Sequence, residues 1–461
     1  MNSRKNKLHT GVFTFFLAMW GIAHIGHFLR KGDALDPFVW ILFLFAVLLV
    51  FHPQSRKILI ALTSFQIFYL FREMPFTDNH LYIMGFVNAG LLFTAIRSFK
   101  SDQSYIEFAE QSASYICAAL LIAYFSAAFA KFNSGFFDPE YSCAVSMFYD
   151  SASVITKTAF LPYFIESILP YAIAAIELSI PILLLVKKTR HTGIILLILF
   201  HLAISISPTA TALDFTVMLF AFSVLFLDDR ALRELIKSVR LLSDFAIQTI
   251  KSKKYIVPGI VISLLIFLKV VSRVTMVSHN LYWFLLAPFA LLFGGLIIRS
   301  IVKTGIFRKS VMSENLFSSL NFTYSALLVL LFLNVITPYL GIKTTGTFTM
   351  YSNLQTENGR SNHFIAGRVP FDMPMDDLVR IEESNHPHLA RFSEKNEMIT
   401  YHEFERIISG RRNISVTYIR SGERISYNSS VVDKESIAIH PVYHKLIGHR
   451  SYTAGEPVCR W

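Results

Sequence analysis

The chain has 461 residues, of which 53% are hydrophobic, and its formal net charge is +11. A hydrophobic content this high excludes an ordinary soluble globular domain. The basic residues lie mainly in short loops between apolar segments, so we interpret the charge as a membrane topology signal and predict no binding of nucleic acid.

Apolar segments that approach the length of a membrane span recur along most of the chain. A transmembrane helix needs about 20 predominantly apolar residues. The pattern therefore predicts an all-α polytopic bundle of roughly eleven transmembrane helices within residues 1–340. The predicted spans are 10–29, 37–52, 57–72, 80–96, 113–132, 169–186, 192–207, 209–227, 255–273, 280–299 and 317–337.

Basic residues cluster in alternate loops and so indicate the orientation of this bundle. They occur at the amino terminus and at 56–57, 97–100, 187–190, 230–254 and 303–309. Because positively charged loops stay in the cytoplasm, we predict a cytoplasmic amino terminus and a multi-pass protein of the plasma (inner) membrane. An odd number of spans then makes residues 341–461 extracytoplasmic.

The segment 231–250 differs from the predicted spans because apolar and charged residues alternate in it at helical spacing. This pattern predicts an amphipathic helix on the anionic cytoplasmic leaflet, with a helix that docks a partner protein as the alternative.

From Gly341 onward the hydropathy falls, and residues 341–461 are enough for a small α+β cap domain. Thr400 followed by Glu403 is typical of a capping box that begins a helix. Segments 414–420 and 423–428 flank Ser421-Gly422 and predict a β-hairpin.

The three cysteines fall in different parts of this topology. Cys117 lies in a predicted span, whereas Cys143 and Cys459 both fall on the predicted outer side. An oxidising compartment would allow Cys143 and Cys459 to form a disulfide, although two unpaired thiols are equally compatible with the sequence.

Lys131 closes an otherwise apolar run that begins at Cys117. An ammonium group within a bilayer is costly unless it pairs, reaches the headgroups or loses its proton, so Lys131 marks a candidate functional site. Burial disfavours the charged form of an amine, and a neutral amine can act as a general base. The alternative is a lysine that extends to the lipid headgroups, as lysines at helix ends commonly do.

Further polar side chains fall in or beside the predicted spans, where lipid would not tolerate them unpaired. They are Asn79, His80, Asn88, Glu177, His201 and Asp214. Together they predict a buried polar chamber, although Glu177 could instead bond to backbone freed by a kink at Pro181. His24 and His27 lack acidic or cysteine ligands nearby, so we predict no metal site.

Several of these polar residues belong to three short motifs. The motifs are Asn79-His80-Leu-Tyr-Ile-Met-Gly-Phe, Tyr124-Phe-Ser-Ala-Ala-Phe-Ala-Lys131-Phe-Asn and Phe200-His201-Leu-Ala-Ile-Ser. In the same order, they resemble the segments Asn-His-x-Tyr-Leu-x-Gly-Leu, Tyr-Phe-Ile-Ala-Gly-Val-Lys-Lys-Leu-Asp and Phe-His-Cys-Met-Asn-Ser. Those segments belong to the vitamin K-dependent gamma-glutamyl carboxylase family, which includes the group named for a horizontally transferred transmembrane domain. The likeness covers about residues 10–230 and departs from the family at Ala130 and Asn133, where the family has a lysine and an aspartate.

The resemblance implies a membrane-embedded lyase of the carboxylase type. The matching positions would be catalytic Lys131, His80 and Asn79 and cofactor-binding His201, Glu177 and Tyr124. The cofactor would be reduced vitamin K or a related naphthohydroquinone, with O₂ and CO₂ as co-substrates and no metal. Lysine cannot itself deprotonate a glutamyl carbon, but as a general base it can start a cofactor that does. The partners would be the lipid bilayer and a secreted peptide or protein that contains glutamate.

Beyond the last predicted span, Asn353, Arg360 and His363 are candidates for holding an anionic peptide substrate at the outer mouth of the chamber. Loops rich in amide side chains are also common turn formers, so a purely structural role stays open.

Two functions of other kinds also stay open. A quinone- or lipid-binding membrane protein without carboxylase activity would act in toxin immunity or membrane maintenance. A transporter could couple protons through Glu177 and Asp214, although the sequence shows no inverted repeat.

Overall fold

A computed structural model describes residues 2–31, 36–100, 104–154, 156, 160–207, 212–252, 275–307, 320–367, 369, 371–409, 411, 413–429, 441–453, 455, 457 and 459. Within these residues the protein is mainly helical. The helices are α1 (Asn2–Lys31), α2 (Pro37–Phe51), α3 (Arg56–Glu73), α4 (Asn79–Lys100), α5 (Tyr105–Ala130), α6 (Ser134–Phe137), α7 (Cys143–Ser153), α8 (Tyr163–Leu185), α9 (Arg190–Ile204), α10 (Leu213–Phe226), α11 (Asp229–Ser252), α12 (Thr275–Thr304), α13 (Phe322–Ile336), α14 (Pro387–Glu394), α15 (Tyr401–Ile408) and α16 (Pro441–Leu446). The strands are β1 (Leu378–Ser384), β2 (Glu397–Thr400), β3 (Ser415–Arg420), β4 (Glu423–Asn428) and β5 (Tyr452–Thr453).

Five of the described helical segments are long and apolar enough to cross a membrane. They are Thr10–Arg30, Asn79–Phe99, Tyr105–Ala130, Tyr163–Leu185 and Leu285–Thr304. The apolar helices α2, α9, α10 and α13 have only 14 or 15 residues each, fewer than the about 20 that a bilayer requires. The structure thus supports a helical protein with several candidate spans, but it does not confirm eleven. The span predicted at 255–273 lies outside the described residues.

The chain forms two compact units, each built from separate segments. Unit one comprises Met1–Gln66, Val87–Leu120 and Ser179–Tyr324. Unit two comprises Ile67–Phe86, Leu121–Leu178 and Ser325–Trp461. Because residues 341–461 share a unit with helical segments, the domain boundary at residue 340 stays a prediction.

In unit one, α1 packs against α2, α10 and α12. A glycine allows a close approach between α1 and α2. A Cβ atom on Gly21 would lie 2.8 Å from Ala46 O and 2.9 Å from Val50 Cγ2, which is too close for any larger residue.

A buried polar network also holds unit one together. Trp20 Nε1 donates a hydrogen bond to Asn88 Oδ1 at 2.8 Å. Asn88 Nδ2 donates to Gln66 Oε1 at 2.8 Å and lies 3.1 Å from His24 Nε2. These side chains are almost inaccessible to solvent, so the polar group that the sequence identified at Asn88 is satisfied inside the protein.

Helix α11 confirms that the segment predicted to form an amphipathic helix is helical. Its apolar residues Ala231, Leu232 and Leu235 are buried, whereas Arg233 and Lys237 are exposed. The charged face therefore points to solvent, as the spacing of the residues predicted.

Unit two contains an antiparallel sheet with the strand order β4-β3-β1-β2-β5. The predicted hairpin is confirmed, because β3 and β4 pair from Ser415↔Asn428 to Arg420↔Glu423. Its turn has φ of +51° at Ser421 and +85° at Gly422, a region that favours glycine. Helices α14 and α15 pack against β1 and β2.

The predicted start of α15 is also confirmed, although only half of the capping box forms. Thr400 Oγ1 accepts a hydrogen bond from Glu403 N at 3.3 Å. The Glu403 carboxylate does not accept a hydrogen bond from the Thr400 backbone. Instead it accepts hydrogen bonds from Arg406 Nε at 2.7 Å and from His449 N at 2.9 Å. Burial raises the pKa of Glu403, and the Arg406 charge opposes this rise.

Cys143 and Cys459 form a disulfide, with their Cα atoms 4.8 Å apart. Cys117 is a free and buried thiol. The structure thus selects the disulfide from the two alternatives that the sequence left open.

This disulfide predicts a simple labelling pattern. We expect maleimide to label one cysteine in the denatured, unreduced protein and all three after reduction, because disulfide sulfurs have no thiolate to react. Mass spectrometry of the labelled protein measures the count. The variant Cys143→Ser serves as the control, since it frees Cys459 and should give two labels without reductant. Labelling of all three cysteines in the unreduced wild-type protein would show that the disulfide is absent.

Candidate functional site

The centre of the candidate site is a buried ion pair within unit two. Lys131 directly follows α5, and Glu177 lies within α8. Lys131 Nζ lies 2.6 Å from Glu177 Oε2, and the two side chains are 5% and 15% exposed. A lysine that extended to the lipid headgroups would be exposed. The geometry therefore favours a paired lysine inside the protein.

Aromatic rings lie next to this pair. The ring centre of Phe136 is 5.7 Å from Lys131 Nζ, within the range of a cation–π interaction. The neighbouring ring of Phe137 stacks on Tyr171 at 4.6 Å and on Phe364 at 5.9 Å between ring centres. Tyr171 and Phe364 are exposed, so flat apolar surface is accessible in this part of unit two.

Asn133 fixes the backbone immediately after Lys131. Its Oδ1 accepts a hydrogen bond from Phe136 N at 2.9 Å and so caps α6. Its Nδ2 donates to Ala130 O at 2.8 Å and to Ser352 O at 2.6 Å. An ionised carboxylate could not make these two donations, which explains in physical terms why an asparagine suits this position.

Asn353 holds the disulfide region together. It has a left-handed φ of +55°. Its Oδ1 accepts from Cys143 N at 2.8 Å, and its Nδ2 donates to Tyr141 O and to Pro457 O, both at 2.7 Å. The amide is thus occupied by backbone groups, as expected for a turn former, and its role in substrate binding stays a prediction.

His363 anchors a loop to the segment before Lys131. Its Nδ1 accepts hydrogen bonds from Ile365 N at 3.1 Å and Ala366 N at 2.9 Å. Nε2 therefore carries the hydrogen and donates to Phe129 O at 2.8 Å. Burial lowers the pKa of His363, and the bond to Phe129 opposes this shift. A neutral, fully bonded ring supports a positioning role, while its binding of substrate stays a prediction.

Arg360 differs from Asn353 and His363 because it is exposed. Of these three predicted substrate-binding residues, it is the one that presents a charged group to solvent.

Asn79, His80 and Tyr124 belong to the same unit as Lys131. Asn79 begins α4, and its Oδ1 accepts a hydrogen bond from Phe348 N at 2.8 Å. His80 and Tyr124 are buried. A direct contact of these three residues with Lys131 stays a prediction.

His201 belongs to unit one, so its grouping with Lys131 also stays a prediction. It is buried, with ring centres of Phe200 and Phe215 at 5.3 Å and 5.0 Å from its own. The same unit contains a buried cluster around Asp214. Asp214 Oδ2 lies 3.1 Å from His27 Nδ1 and 2.9 Å from Arg30 Nε.

Lys343 is a second buried lysine in unit two. Its Nζ lies 5.2 Å from the ring centre of Tyr82. Burial lowers the pKa of Lys343 to about 8. In the sequence, Lys343 follows an apolar segment, as lysines that extend to the lipid headgroups also do. The sequence therefore gives no sign that Lys343 is buried.

The fold and the site together define a helical protein with membrane-length helices and a buried lysine–glutamate pair. Comparison with known proteins finds no matching family model, no similar curated protein and no similar solved structure. The likeness to the carboxylase family therefore rests on the three sequence motifs.

Proposed function

We propose that the protein is a membrane-embedded, naphthoquinol-dependent enzyme of the gamma-glutamyl carboxylase type. In this proposal Lys131 is the general base and Glu177 is its proton partner. The supporting observation is the buried contact of 2.6 Å between Lys131 Nζ and Glu177 Oε2. The three motifs support it separately, because they align Lys131 with the base of that family.

The pair gives the amine a route to its neutral form. A proton can move from Nζ to the Glu177 carboxylate without changing the net charge of the pair. At 2.6 Å, Nζ and Oε2 are within the distance over which a proton passes directly between a positioned acid and base. The neutral amine then takes a proton from a bound hydroxyl group. The net result is one proton gained by Glu177, while Lys131 ends as an ammonium.

The surroundings of Lys131 fit a flat aromatic cofactor. The exposed rings of Tyr171 and Phe364, which stack on Phe137, offer faces on which a naphthalene ring system can stack. When bound, the reduced quinone would supply, with O₂, the strong base that a glutamyl carbon requires before it captures CO₂. The chain's own contribution is to hold the ring, move its proton and exclude water.

One observation favours a second function. The ion pair and the bonds of Asn133, Asn353 and His363 could serve folding alone, because buried ion pairs also occur as structural elements. A quinone- or lipid-binding protein without turnover, acting in toxin immunity or membrane maintenance, would need no more than this.

Fixation of labelled CO₂ separates the two functions. We expect membranes that contain the protein to incorporate label into a glutamate-rich peptide when reduced vitamin K and O₂ are supplied. The same membranes with oxidised quinone serve as the control. Folded protein that binds quinone, measured by fluorescence quenching, but fixes no label would contradict the enzymatic proposal and favour the second function.

Arg360 tests the proposed substrate site. We expect Arg360→Ala to weaken binding of the glutamate-rich peptide while quinol oxidation and melting temperature stay unchanged, because an exposed cation acts on the anionic peptide and not on folding. Peptide titration by fluorescence anisotropy measures the affinity. Asn353→Ala is the contrast, since three hydrogen bonds to backbone groups would be lost and the melting temperature should fall. Equal peptide affinity for wild type and Arg360→Ala would remove Arg360 from the substrate site.

A further inference from the structure

A pocket of 420 Å³ lies between α11 and α12 in unit one. One part of its lining is charged and comprises Glu234, Lys237, Arg299 and Lys303. Another part consists of four leucines contributed by both helices. The pocket thus combines a polar region with an apolar one.

The charged part has an excess of positive charge. Lys303 Nζ bonds to Glu234 Oε2 at 2.7 Å. Lys237 and Arg299 attract the same carboxylate, and the bond to Lys303 together with these charges lowers the pKa of Glu234. One carboxylate cannot neutralise three cations, so the lining carries two surplus positive charges and favours an anion.

The apolar part lies further along the same helices. Leu241 and Leu292 are 62% and 55% exposed, so both side chains are accessible to a ligand in the pocket. Arg299 lies near the end of the candidate span Leu285–Thr304, and Leu292 is seven residues earlier, about 10 Å along the helix axis. A cationic end and an apolar wall at this spacing match the two parts of a membrane lipid.

We propose that this pocket binds an anionic phospholipid. The phosphate lies between Lys237 and Arg299, with the Ser238 hydroxyl as a further donor. The acyl chain lies along Leu241 and Leu292. Helix α11 is amphipathic, so the bound lipid would hold the apolar side of this helix at the headgroup level of the bilayer. This site is independent of the proposed carboxylase function.

The test uses the purified full chain in a neutral detergent, titrated with phosphatidylglycerol or phosphatidylcholine. We expect only phosphatidylglycerol to raise the melting temperature of the wild-type protein. The double variant Lys237→Gln, Arg299→Gln should bind it about 25-fold more weakly, because each basic group near an anionic lipid surface changes affinity about fivefold. The matched control Arg233→Gln, Arg240→Gln removes the same charge from exposed positions of α11 and should keep wild-type affinity.

Wild-type affinity in the Lys237 and Arg299 double variant would overturn the proposal, as would an equal loss in the control. If soluble glycerol phosphate raised the melting temperature as much as phosphatidylglycerol does, the pocket would be an anion site that does not use the leucines, and the lipid proposal would be wrong. If the double variant does not fold, a photoreactive phosphatidylglycerol on the wild-type protein decides the question. Cross-links to α11 and α12 support the pocket, and cross-links confined to other segments overturn it.

Discussion

Replacing Lys131 by arginine is expected to lower quinol oxidation and carboxylation by about 10²–10⁴-fold, the range typical for loss of a general base. Arginine keeps its proton in proteins and so cannot act as a base, yet it can still pair with Glu177. The melting temperature and quinone binding should therefore stay close to those of the wild-type protein. Initial rates of label incorporation, measured beside a thermal melt, test this directly.

Lys131→Ala is the companion variant. It should be as inactive as the arginine variant, but it also leaves the Glu177 carboxylate in a buried position without its cation. We therefore expect a lower melting temperature for the alanine variant alone. Substantial turnover by Lys131→Arg would show that Lys131 supplies charge and not basicity, and the catalytic assignment would then be wrong.

Replacing Glu177 by glutamine is expected to destabilise the protein by about 3–5 kcal/mol, because the ammonium group of Lys131 would stay buried without an anion. Activity should fall as well, since the amine would lose the group that accepts its proton. The unfolding free energy can be measured by denaturant titration in detergent micelles.

A double variant distinguishes folding from proton transfer. Lys131→Met combined with Glu177→Leu replaces the ion pair with apolar side chains of similar size, an exchange that is often neutral or stabilising by about 1–4 kcal/mol. We expect this protein to be stable and inactive. Wild-type stability in Glu177→Gln would mean that the pair contributes little to folding. A double variant that is stable and fully active would assign the pair a purely structural role.

Features that depend on neighbouring residues could be predicted from the sequence. Helix α11 follows from apolar residues at helical spacing. The start of α15 follows from the side chain of Thr400, and the β3–β4 turn follows from Gly422. Each signal lies within a few positions of the feature it determines.

The number of membrane spans could not be predicted in this way. Hydropathy measures apolar content and does not show where a helix ends. The predicted spans 192–207 and 209–227 correspond to α9 and α10, which have 15 and 14 residues. Such short helices fall below the length of a bilayer crossing, so composition alone does not decide their placement.

The sequence also could not show which groups the polar residues contact. Burial physics indicates that Lys131 and Glu177 each need a partner, but 46 positions separate them in the chain. For Asn353, an amide that binds substrate and an amide that bonds to backbone look the same in sequence. Only the fold shows that its amide reaches Cys143 N and Pro457 O.

The disulfide between Cys143 and Cys459 has a consequence for biosynthesis. The two cysteines are 316 residues apart, so the ribosome needs roughly 15–60 s to deliver the second after the first. During that interval the thiol of Cys143 has Cys117, 26 positions upstream, as its one translated cysteine neighbour. A disulfide between Cys117 and Cys143 would be non-native. Thiol–disulfide exchange would have to break it before Cys459 could pair with Cys143. Pulse-labelled chains should therefore acquire their native disulfide only after synthesis has passed residue 459.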